Sequence, residues 1–163
     1  MPGIDGLTTI LEAALPRERL PLIRVDFSDP KAWRRLAKAV ATPVDFSSPI
    51  DNDPDDFDPG YSVPLDVIDD PAFAGITAAD LVHAAELSEA AGMRGYAILV
   101  DTRSVAEAAG DGGLASVEIV DLARIPGQTF LCLATSVATV HANLSTGNLF
   151  FDEFTTGDEV FDG

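Results

Sequence analysis

Cysteine is nearly absent from this chain. Cys132 is the only one in 163 residues, so no intrachain disulfide exists and multi-cysteine zinc sites are excluded. It lies in the apolar run Phe130-Leu131-Cys132-Leu133-Ala134, where a small buried hydrophobe is expected. Histidine is as scarce: His83 and His141 are the two present, and no zinc-ligand spacing surrounds either. Basic residues are few, with ten Lys and Arg against 27 Asp and Glu and a net charge of −17. A field of that sign argues against nucleic acid or an anionic membrane as partner. No apolar run approaches the roughly 20 residues that span a bilayer, and the N-terminus lacks the basic start and apolar core of a secretory signal. The expectation is a soluble, cytoplasmic protein. Also missing are a glycine-rich phosphate loop and a nucleophile elbow, and the sequence implies no cofactor.

What is present is enough apolar material for a core: 47% of the residues are hydrophobic, which separates this chain from acidic disordered tails. The length suits one domain. Residues 1–14 read as an N-terminal appendage, 15–156 as one domain with a Pro/Asp-rich loop at 42–62, and 157–163 as a tail. Leu22 to Phe27 reads as a strand that runs into Ser28-Asp29-Pro30, a cap followed by proline at the first helical position. Helix then follows over Lys31 to Val40, with Trp33, Leu36, Ala37 and Val40 on one face and Lys31, Arg34, Arg35 and Lys38 on another.

Val63 to Ile68 alternates as a strand does. Thr77-Ala78-Ala79-Asp80 resembles a capping box for a helix carrying Leu81, Val82 and Ala85. Tyr96 to Val100 is apolar throughout, as a strand buried on both faces would be. Ser104 to Ala109 suggests a helical turn. Val117 to Asp121 and Thr129 to Ala134, separated by Ile125-Pro126-Gly127, read as an antiparallel hairpin. Val137, Val140, His141 and Leu144 recur at helical spacing, with Thr135 or Ser136 to cap the start, Gly147 to end the helix left-handed, and His141 facing inward. The competing reading extends the preceding strand through the β-branched Val137, Thr139 and Val140. Leu149, Phe150, Phe151 and Phe154 should close the core. Together these elements predict an α/β domain with a mixed sheet of about five strands and flanking helices.

Two functional readings follow. The first is an acidic binding module, immunity-like or regulatory, that engages a basic protein through carboxylates such as Asp51, Asp53, Asp55, Asp56 and Asp58. That run is no calcium loop, since Asp56 and Ser62 stand where such a loop needs glycine and glutamate. The second is a divalent-metal-dependent enzyme. Asp26, Asp101 and Asp121 follow strands, as does Asp69, and carboxylates at the carboxyl ends of parallel strands converge on the crevice where α/β proteins bind ligands. In that case His141, near Asn143, Asn148, Asp152 and Glu153, would act as acid or base alongside Asp101. Aspartate after a strand is equally the residue that caps the next helix or turn, a role that needs no convergence.

Four segments carry a resemblance. Leu20 to Asp29 with Trp33, Val67 to Gly75, Ile119 to Leu122, and Asn143-Leu144-Ser145 with Asn148 and Phe151 to Phe154 resemble an uncharacterised family of small acidic bacterial proteins common in actinobacteria. The resemblance implies one compact domain of unknown function and assigns no catalytic residue. This chain departs from the family pattern in its N-terminal extension, its acidic loop between Thr42 and Pro64, and Gly147.

Overall fold

Five strands assemble in the order β2-β1-β3-β4-β5. They are β1 (Leu20–Arg24), β2 (Leu65–Ile68), β3 (Tyr96–Val100), β4 (Ser116–Asp121) and β5 (Thr129–Leu133). The computed structural model describes residues 3–45, 60–89, 95–110, 114–155 and 159–163. Both β2 and β3 run parallel to β1, while β3-β4 and β4-β5 are antiparallel. The sheet is thus mixed, as the sequence predicts, and the β4-β5 hairpin is present.

Helices lie on both faces, giving three layers. They are α1 (Ile4–Ala14), α2 (Pro30–Val40), α3 (Ala78–Leu87), α4 (Thr102–Ala109) and α5 (Val137–Thr146). The path from β1 to β2 and the path from β2 back across to β3 move in opposite directions, so right-handed crossovers must place α2 and α3 on opposite faces. They do: α2, α4 and α5 share one apolar cluster and α1 and α3 the other. Strand alternation sorts the residues between the two. Leu22, Ile98, Val117, Ile119 and Cys132 point to the first cluster, and Ile23, Ala97, Leu99 and Val120 to the second. With β1 and β3 covered on both faces, the unbroken apolar run of β3 is explained.

Local chemistry starts and stops the helices as their residues dictate. Asp29 caps α2 by accepting from the backbone N–H groups of Lys31 and Ala32, and Thr77 with Asp80 forms the expected capping box of α3. Gly147, at φ 70°, ends α5 in the left-handed region, where an L side chain is strained. Ser136 makes no side-chain cap on α5, because residues Ala134–Ser136 already form a 3-10 turn that leads into it. The reading of Val137 as strand is therefore overturned.

Within residues 1–14, which the sequence suggests as an appendage, Ile4–Ala14 form α1, and its Leu7, Leu11 and Ala14 are buried. At the other margin, Phe161 pairs with β5 through Leu133 N–H to Phe161 O at 2.8 Å and Phe161 N–H to Leu131 O at 2.9 Å. That contact covers part of an edge strand whose backbone groups would otherwise be open.

Candidate functional site

The carboxyl ends of β1, β2 and β3 gather the first group of charged residues. Arg24, the last residue of β1, is buried, and burial of a guanidinium requires partners on every side. Its Nη1 donates to Asp69 Oδ1 at 3.0 Å, and Trp33 Nε1 donates to Asp69 Oδ2 at 2.9 Å. Its Nε donates to the Asp26 carbonyl at 3.1 Å, and the guanidinium lies 4.3 Å from the Phe27 ring centroid and 5.6 Å from that of Trp33. This clamp ties β1, β2 and α2 together.

Asp26 accepts from Ser28 N–H at 2.7 Å. Hydrogen bonds from Ser28 hold its carboxyl below the usual carboxylate value. Asp101 is the N-cap of α4, accepting from Ser104 N–H at 2.8 Å and Ser104 Oγ at 2.9 Å. Both carboxylates are occupied by the local turns they create.

Asp121 lies at the opposite end of the sheet. Because β4 is antiparallel to β3, Asp121 pairs with Tyr96 at the start of β3 and not with Val100 at its end. A strand of this length separates it from Asp101 by about 16 Å. Its oxygens accept from the N–H groups of Ala123, Arg124 and Ile125 at 2.9–3.1 Å, which builds the β4-β5 turn. Asp26, Asp101 and Asp121 therefore do not meet at one ion, and no group of three His, Cys, Asp or Glu among the described residues is arranged to hold one.

His141 is also at the Tyr96 end and is not brought to Asp101. Its Nδ1 is hydrogen-bonded to the Tyr96 hydroxyl, and the Tyr61 ring stacks on it at 6.0 Å between centroids. Burial lowers the His141 pKa, with Glu18 opposing weakly, and burial raises that of Tyr96. Both shifts favour the neutral forms of the two rings. Asn143 donates to the Thr139 carbonyl and accepts from Asn148, so neither amide orients the histidine. Asp51, Asp53, Asp55, Asp56 and Asp58 lie outside the described residues.

A third place collects groups that are not fully engaged. On the second face, an open depression forms where α3 lies beside Glu118 of β4 and Thr129 of β5. Ala78, Ala79, Val82, His83 and Glu86 of α3 form one wall, Glu118 and Thr129 the floor, and Gly127 of the turn one end. Glu118 sits half-buried on β4 among Val117, Ile119 and Val120, which are fully buried. Desolvation raises its pKa, Asp101 adds to the rise, and Arg103 and a hydrogen bond with Thr129 oppose it. Glu118 is thus a half-buried carboxylate at the edge of this depression. Sequence reasoning missed it, although a lone glutamate flanked by Val117, Ile119 and Val120 was the available signal.

No curated protein and no solved structure matches this chain. A model of a domain of unknown function, DUF6924, matches residues 19–163, from the end of the turn after α1 through all five strands, the Arg24 clamp and the depression. On that match, the chain belongs to the DUF6924 family.

Proposed function

We propose that this protein is a cytoplasmic binding module, immunity-like or regulatory, that engages a basic protein through its acidic surface. The observation that carries this reading is how the positive charges are used. Arg19 pairs with Asp66, Arg24 with Asp69, Arg103 with Asp101 and Glu107, and Arg124 with Asp152. Arg35 donates to the Ala108 carbonyl at 3.0 Å. Five of the ten basic residues are thus turned toward the protein itself, against 27 carboxylates. The outward field remains strongly negative, and such a field accelerates encounter with a basic surface.

The test is capture from extract on immobilised protein at about 10 mM salt, where the screening length is about 30 Å, followed by elution at about 1 M, where it is about 3 Å. A basic protein should be retained, released by salt, and bind again at equal stoichiometry after purification. Failure to retain any basic protein at low salt removes the reading.

A further inference from the structure

We infer that the exposed face of α2 docks an acidic helical segment of a partner protein, with Lys31, Arg34 and Lys38 as the residues that hold its carboxylates. This goes beyond the binding-module reading, because the stripe has the opposite sign to the surface that reading uses, and each can fail without the other. Helical spacing puts the three cations in one row, about 10 Å from first to last, and all three are exposed. Arg19, Arg24, Arg103 and Arg124 are ion-paired, and Arg35 is anchored on the Ala108 carbonyl. Among the described residues, the side chains of Lys31, Arg34 and Lys38 enter no ion pair and no hydrogen bond. Asp29, the carboxylate that acts on Lys31 and Arg35, is already occupied by the backbone N–H groups at the start of the helix.

Helix stability does not explain that arrangement. A glutamate three or four residues from any of these cations would add a helical ion pair, yet a chain with 27 Asp and Glu has none between Pro30 and Val44. Lys31 stands in the first turn, where the helix dipole disfavours a cation. Relief of self-repulsion would be served equally by cations scattered over the acidic surface. A row at i, i+3 and i+7 instead matches one ligand shape, a helix laid along α2 with carboxylates at the same spacing. Charge selects an acidic protein over a nucleic acid. A few carboxylates approach the stripe alone, whereas a duplex brings a charge about every 1.7 Å of its axis against the net −17 of the molecule.

The experiment is an NMR titration of the whole labelled protein, at about 10 mM salt, with a capped alanine-based helical peptide bearing glutamates at i, i+3 and i+7 and with its glutamine counterpart. Expected are saturable shifts of Lys31, Arg34 and Lys38 for the acidic peptide, lost at about 1 M salt, and none for the neutral one. Arg34→Glu should weaken binding about fivefold or more, since it loses one exposed pair and adds a repulsion. That variant should fold at least as well as the wild type, because its new carboxylate stands four residues before Lys38. Weakened binding beside an unchanged or raised melting temperature separates docking from a structural role. Arg17→Glu makes the same change of net charge at an exposed position off the stripe and should leave binding unchanged. Absence of saturable shifts, equal binding of the glutamine peptide, or equal loss in Arg17→Glu and Arg34→Glu overturns the inference. Stronger binding of a short single-stranded DNA than of the acidic peptide overturns the choice of a protein partner. A captured basic protein leaves the binding-module reading standing in each of these cases, and failure of that capture leaves the α2 docking site standing.

Discussion

His141 and Glu118 place two opposed proton linkages in one small domain. The Tyr96 hydroxyl is hydrogen-bonded to His141 Nδ1, and burial disfavours the imidazolium. The folded pKa is therefore below the ordinary 6.5. The unfolded chain binds the proton first, so the stability linked to His141 is complete above pH 6.5 and is lost as pH falls toward the folded pKa. Glu118 acts the other way. Its folded pKa is raised above 4.5, so its linked stability is complete below that pH and is lost as pH rises through the folded value. Urea unfolding at a series of pH values should show the acid-side loss flattened in His141→Gln and the alkaline-side loss flattened in Glu118→Gln. Unchanged slopes in both variants would contradict the two assignments. Cys132 belongs to the same scale: burial pushes its thiol up to about 12, and it is fully buried. A thiol reagent should leave the native protein unmodified and react once urea unfolds it.

Helix α1 lies outside the family match yet completes the second apolar layer. Leu11 is 0% exposed, so Leu11→Ala removes packed methyl groups and leaves a cavity, with an expected cost of about 2–5 kcal/mol. A loose appendage would lose almost nothing, which makes denaturant unfolding of this one variant decisive. Element α4 depends on its cap instead. It has eight residues, too few to be helical alone, and Asp101 supplies the carboxylate at its start. Asp101→Ala should cost about 1 kcal/mol. The same measurement with and without added Mg²⁺ separates a cap from a ligand, because a metal bound only by the folded state would raise its stability.

For the whole molecule, the net charge of −17 sets both solubility and self-repulsion. The basic face of α2, with Lys31, Arg34 and Lys38 exposed, relieves the repulsion locally and leaves most of the surface negative. Raising salt from about 0.01 to 0.1 M shortens the screening length from about 30 to 10 Å, so the melting temperature should rise over that range. A melting temperature that falls with salt would mean that the arginine–carboxylate pairs outweigh the repulsion. No helix among the described residues is long and apolar enough to cross a membrane, and the apolar surface goes into the two layers beside the sheet.

Local signals determined most of the elements. Asp29-Pro30, the Thr77–Asp80 box and Gly147 act within one or two turns of backbone, so the residues that start or stop α2, α3 and α5 can be read where they stand. The unbroken apolar run of β3 likewise reports burial along a single strand. Strand direction is different, because it depends on which distant segment pairs with which. The sequence places an aspartate after β1, β3 and β4 alike; the antiparallel pairing of β4 alone carries Asp121 to the far end. The same pairing put His141 beside Tyr96 and away from Asp101. Packing decided the rest: the segment that forms α1 read as an appendage and not as core, since its partners Ile23 and Leu99 are distant in the chain. The depression beside Glu118 forms where Ala78, Val82 and Glu86 of α3 meet Glu118 and Thr129 of the sheet, a matter of helix placement that no spacing of residues encodes.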